Sequence, residues 1–242
     1  MISRRFCVLT TGRTGSTALM ERLREEKDVT LPSNDVVCED EELLNPERIA
    51  DYGRFYAEKT GRPVGDDAAL IEAYFACHPD AAYVGFKSMP NRHTDLAAFV
   101  SRPDIAFITL TRADIPSTVA SFMLAMHRGT WRRHGGKPME RWTFSENDAQ
   151  RVGWNLAYVL QANATLARVP ARVRLTYEEL FAPGFRSAEL DDLFGRPIRM
   201  PSPKPPVSGK DYVTNWPEFL SFLDRRFQEM KAASGSADSS GR

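Results

Sequence analysis

Arg5-Phe-Cys-Val-Leu-Thr10, then Thr11-Gly-Arg-Thr-Gly15, then Ser16-Thr-Ala-Leu-Met-Glu-Arg-Leu-Arg24: this stretch decides the fold. Its first six residues form a short β-type run with Phe6, Cys7, Val8 and Leu9 at its centre. The next five carry two glycines, and the last nine place Leu19, Met20 and Leu23 at helical spacing. A strand, a tight loop and a helix are therefore predicted. Further out, Ala82-Tyr-Val-Gly-Phe-Lys87 is a second β-type run. Ile105-Ala-Phe-Ile-Thr-Leu-Thr111 is a third, nearly continuous in apolar character, as a strand covered on both faces would be. A fourth strand is predicted over residues 173–177. Helical patterns fall at 46–59, 67–77, 95–100, 115–126, 145–168, 178–181, 187–194 and 216–233. Strands alternating with helices give parallel βαβ units. The expected class is α/β, a three-layer αβα arrangement around a central, mostly parallel sheet.

The chain has 242 residues, 42% of them apolar and 26% charged, enough for one substantial core. A single domain over residues 1–233 is expected, with a disordered Ser- and Gly-rich tail at 234–242 and no internal repeat. Lysine plus arginine equals aspartate plus glutamate at 32 each. No global field favours nucleic acid, so any anion site must be local. The cysteines, Cys7, Cys38 and Cys77, are odd in number and widely spaced, which suits neither a disulfide framework nor a zinc site. A reducing, cytoplasmic setting is the simpler reading. The apolar start ends at Gly12 and Arg13, too early for a signal peptide, and no run is long enough to span a bilayer.

Residues 128–144 mix Arg128, Arg132, Arg133, His134 and Lys137 with Trp131, Trp142 and Gly135-Gly136. A loop of this length inside a compact domain is usually functional or mobile, so a lid over a substrate is expected, against a merely solvated basic loop.

The strand-to-helix junction Thr10-Thr-Gly-Arg-Thr-Gly-Ser-Thr17 carries the chemistry. Two glycines let the backbone curl, so the amides of Thr14 to Thr17 can converge as a concave nest where the helix dipole adds positive potential. Arg13 adds a full charge, and Ser16 and Thr17 add hydroxyls. Each charge-assisted bond is worth roughly 1.5–3 kcal/mol net. A nucleotide triphosphatase would need a lysine after the second glycine, and Ser16 stands there instead. An ordinary strand-to-helix turn is the plainer alternative.

Leu9-Thr-Thr-Gly-Arg-Thr-Gly-Ser-Thr-Ala-Leu19 resembles the 5′-phosphosulfate-binding loop of sulfotransferases that use 3′-phosphoadenosine 5′-phosphosulfate, closest to the bacterial trehalose, nodulation-factor and carbohydrate type. The resemblance implies a P-loop-like fold. It gives Arg13, Thr14, Gly15, Ser16, Thr17 and Ala18 to the 5′-phosphate and sulfate, and it implies no metal. Thr109-Leu-Thr-Arg-Ala-Asp-Ile-Pro-Ser-Thr-Val-Ala-Ser-Phe122 resembles the 3′-phosphate segment of the same family, with Arg112 and Ser121 as its ligands. The plainer reading pairs Arg112 with Asp114 and makes Ser121 a packing residue. Val173-Arg-Leu-Thr-Tyr-Glu-Glu-Leu-Phe181 resembles a third family element, which places Tyr177 near the adenine; otherwise Tyr177 only plugs the sheet edge.

Sulfuryl transfer needs a base for the acceptor hydroxyl. Relatives of this type carry a glutamate soon after the first helix. Here Cys38-Glu-Asp-Glu-Glu-Leu-Leu-Asn-Pro46 offers Glu42 by its following residues and Glu39 as the reserve. The same acids would also suit the start of a helix at Pro46. Lys87, at a strand end, can stabilise the leaving phosphate or the sulfuryl oxygens, or else only snorkel to water. His93 is an alternative base. A carbohydrate, glycolipid or small-molecule acceptor is expected from the aromatic and basic lid. A small-molecule kinase with a degenerate phosphate loop, or a non-catalytic nucleotide-binding module, are the rival readings. Oligomeric state is not legible.

Overall fold

The computed structural model describes residues 4–32, 35, 41–129, 141–200 and 208–238. Along the chain run β1 (Arg4–Thr10), α1 (Ser16–Arg24), β2 (Val29–Thr30), α2 (Ile49–Thr60), α3 (Asp67–Ala76), β3 (Tyr83–Ser88), α4 (Leu96–Val100) and β4 (Ile105–Thr111). Then come α5 (Ile115–Arg128), α6 (Ala149–Arg168), β5 (Val173–Thr176), α7 (Tyr177–Leu180), α8 (Ala188–Phe194) and α9 (Trp216–Asp238). The five strands form one sheet in the order β2-β3-β1-β4-β5. Every pairing is parallel. The chain divides into two compact units, Met1–Thr111 with Ala162–Pro205, and Arg112–Gln161 with Pro206–Arg242.

The first unit holds the sheet, and its strands alternate as the two-residue period demands. Phe6 and Val8 of β1, with Ile108 and Leu110 of β4, face Leu19 and Leu23 of α1 and Leu190 and Phe194 of α8. Cys7 and Leu9, with Phe86 and Phe107, face the other way, onto Tyr52, Tyr56 and Tyr74 of α2 and α3. The sheet is thus sandwiched between helical layers, which is the expected αβα class. Gly85 is needed at its position in β3, because a Cβ there would lie 2.4 Å from the ring of Phe6.

The second unit packs the buried faces of α5, the first turns of α6 and the start of α9 around Met123, Val152 and Phe219. Trp142 belongs to this core. It is 7% exposed, its amide donates to the Tyr212 carbonyl at 2.7 Å, and its ring meets Phe219 edge-on. That corrects its place in the expected lid: a tryptophan bridged to Val213 and enclosed by aromatics is packing, not an open platform. Residues 130–140 of that loop lie outside the described residues. α9 extends to Asp238, past the point where the tail was expected to begin. Among the described residues no helix is long and apolar enough to cross a membrane.

Other details also differ from expectation. β2 is two residues long, too short to show a pattern. Residue 177 starts a helix instead of ending a strand, because Thr176 and Glu179 form a capping box. α2 begins at Ile49, after a turn over residues 46–48.

Candidate anion-binding site

In a parallel sheet all strands end at one edge. β1 and β4 are neighbours whose next connections lead to opposite sides of the sheet, β1 towards β2 and β4 towards β5. Ligands gather in the crevice at such a switch point. The loop after β1 lies there.

The loop is braced from inside. The Thr10 hydroxyl reaches the Leu110 carbonyl at 2.9 Å and meets the Thr14 hydroxyl, while Thr14 Oγ1 is 3.0 Å from the Thr11 carbonyl. Thr14 is fully buried, and its hydroxyl serves the loop. Arg13 and Gly15 both have left-handed backbones, φ 66° and 80°, on either side of Thr14. Alternating backbone handedness of this kind turns successive N–H groups to one concave side. Gly15 is also the N-cap of α1 and, being glycine, brings no side chain of its own to cap that helix end. The first amides of such a helix end are the groups that a bound anion can satisfy. The Ala18 amide is different: it donates to the Gly15 carbonyl at 3.0 Å, so the expected contact through Ala18 is already used within the helix.

Two aromatic rings cover this turn. A Cβ at residue 15 would lie 2.5 Å from Phe181 Cε2 and 3.0 Å from Tyr177 Cδ2. The two rings are 4.7 Å apart and tilted by 47°. The structure thus brings Tyr177 to the loop, together with Phe181, which the sequence had not singled out. Tyr177 opens α7, which a capping box starts, and Phe181 is its C-cap.

Beside β1, the end of β3 carries Lys87, only 7% exposed, so it is not a snorkelling side chain. Its amide donates to the Glu41 carbonyl at 2.8 Å, and Glu42 bridges it in parallel fashion. The Lys87 ammonium lies 4.0 Å from Glu41 Oε2, and Arg24 pairs with the same carboxylate, which is fully buried. Glu42 pairs with Arg92 at 3.1 Å. Glu42 and Lys87 are therefore neighbours, and Glu41 is a buried counter-charge that an ambiguous acidic run concealed. Glu39 lies outside the described residues. Thr11 Oγ1 and Ser88 Oγ are buried without a hydrogen-bond partner among the described residues. Orphaned polar atoms at such a place mark where a ligand or water belongs.

His93 lies in an enclosed, apolar setting. It stacks on Phe99 at 4.1 Å, and burial pulls its pKa down to about 4, against a smaller opposing pull from Asp67. Arg112 is the residue after β4 and is 4% exposed. Ser121 is buried midway along α5. Asp114 caps α5, accepting from the Ser117 amide at 2.9 Å.

No protein-family model matches the chain, and no curated protein matches it.

Proposed function

We propose that this chain is a sulfotransferase that moves a sulfuryl group from 3′-phosphoadenosine 5′-phosphosulfate to an acceptor hydroxyl, of a carbohydrate, glycolipid or small metabolite, in the cytoplasm. One observation carries the reading: the loop after β1 turns through two left-handed residues onto a helix whose N-cap is a glycine without a capping side chain, with no lysine after Gly15. The aromatic cover on Gly15 and the orphaned hydroxyls of Thr11 and Ser88 fit a phosphorylated nucleoside at the same edge.

The amides from Arg13 to Thr17 and the Arg13 guanidinium would hold the 5′-phosphate and sulfate. Arg112 and Ser121 are assigned the 3′-phosphate, and Tyr177 the adenine. The bound donor supplies an activated sulfuryl group. Glu42, oriented by Arg92, takes the acceptor hydroxyl proton as the acceptor oxygen bonds to sulfur and the bridge to the 5′-phosphate breaks. Lys87 offsets the charge that develops on the leaving phosphate. Glu39 is the reserve base and His93 the weaker alternative.

Thermal denaturation with adenosine 3′,5′-bisphosphate, in the absence of metal, tests the reading. Ligand at a hundred times its Kd adds about 2.7 kcal/mol of stability, and Arg13→Ala and Arg112→Ala should each lose most of it. Stabilisation by ATP with magnesium but not by the bisphosphate would favour a kinase instead. Binding without sulfuryl turnover on any acceptor would leave a nucleotide-binding module.

A further inference from the structure

Thr30 and Glu42 both lie beside β3, opposite Val84 and Lys87 respectively. Eleven residues of chain thus connect Thr30 to Glu42, whose partners on the strand are only three positions apart. Something must return the chain to the sheet edge so that the acidic run reaches Lys87.

Between those places Asp35 is gripped twice. Its Oδ2 accepts from the Tyr56 hydroxyl at 2.8 Å and faces His78 Nε2 at 2.7 Å. Tyr56 belongs to α2 and is wholly buried, and His78 follows α3. Burial, reinforced by the Asp35 charge, pushes the Tyr56 pKa far up, so the phenol stays a donor. Both rings lean edge-on against Tyr74, each at 5.4 Å. Tyr74 in turn donates to the Gly85 carbonyl of β3 at 2.7 Å. A continuous chain of contacts therefore runs from Asp35, through α2 and α3, to the strand that receives Glu41 and Glu42. None of these residues touches the phosphate loop in the contacts described above, and none is used in the mechanism.

We infer that Asp35 is a positioning residue: held by Tyr56 and His78, it returns the chain to β3 and so seats Glu41 and Glu42 beside Lys87. Its effect on turnover rests on the function proposed above, whereas the seating itself does not.

Amide hydrogen exchange on the full chain reads the seating directly. The Lys87 amide donates to Glu41, and the Asn45 amide donates to the Glu42 carbonyl at 3.0 Å. Removing a bond to a charged group should speed exchange at both by about tenfold or more, in Asp35→Ala and in His78→Leu, while the amides pairing β1 with β4 stay as protected as before. His78→Gln, whose side-chain amide can donate from near the Nε2 position, should restore protection. Tyr56→Phe, which removes a single donor, gives the same reading should the alanine variant not fold. In sulfuryl-transfer assays kcat should fall with the KM for the donor unchanged. Native exchange rates at Lys87 in Asp35→Ala or Tyr56→Phe, or His78→Gln as loose as His78→Leu, would overturn the inference. Failure of the native chain to bind the bisphosphate would remove the proposed function and leave the exchange result to stand by itself.

Discussion

Arg13 holds a left-handed backbone that costs a non-glycine residue about 1–2 kcal/mol. Strain kept at one residue of the turn proposed to bind an anion is expected where the side chain has work to do there. Arg13→Gly should therefore raise resistance to urea by up to about 1 kcal/mol, less whatever chain entropy glycine gives back, while binding of the bisphosphate weakens at least tenfold in titration calorimetry. Gly15→Ala should lower stability instead. The added methyl meets Phe181 and Tyr177 in a left-handed turn, so stability should drop by about 2 kcal/mol or more, and Phe181→Leu should recover part of it. The loop residues were legible in sequence because their chemistry is local, a matter of glycine spacing and hydroxyls before a helix. Glu41, Thr11, Ser88 and Phe181 were not, since each owes its place to a neighbour far along the chain. Nothing in four acids out of five consecutive residues 38–42 says which one will be buried against Arg24 and Lys87.

α7 is only four residues long, yet the two rings over Gly15 stand at its first residue and its C-cap, so its start matters more than its length. Thr176 Oγ1 accepts from the Glu179 amide at 3.2 Å, and Glu179 returns the bond to the Thr176 amide at 2.9 Å. Thr176→Ala should cost about 1 kcal/mol in chemical denaturation. If α7 aims Tyr177, the same change should weaken nucleotide binding although it alters no proposed contact; unchanged affinity would show that Tyr177 is held by other means. The strands at β1, β3 and β4 were readable because continuous apolar runs mark strands buried on both faces. Tyr177 alone falls on the other side of the boundary, in α7 instead of the strand, because a capping signal that follows a strand without a break looks like more strand. Trp142 was misplaced for a related reason: aromatics among arginines suit a lid as well as a core, and only its pairing with Val213 separates the two.

Over the whole molecule, the acid response should carry the mark of His93. Its pKa in the folded chain is about 4, below the ordinary 6.5, so between those values the unfolded chain binds a proton that the folded one does not. Stability must rise with pH across that window, and it is fully expressed above about 6.5. A displacement of this size is worth about 2–3 kcal/mol for a mostly enclosed imidazole. The urea midpoint should thus fall less steeply from pH 7 to pH 4 in His93→Phe than in the native chain, and parallel curves would refute the assignment. The strand order has a different consequence, for synthesis. β1 lies between β3 and β4, and its register pairs Arg5 with Ile105, so its second neighbour is made a hundred residues later. At translation rates of about 5–20 residues per second, that leaves Phe6, Val8 and Leu9 without their full shelter for roughly 5–20 s. The strand that anchors the sheet is thus a natural client for a holding chaperone while the ribosome is still at work.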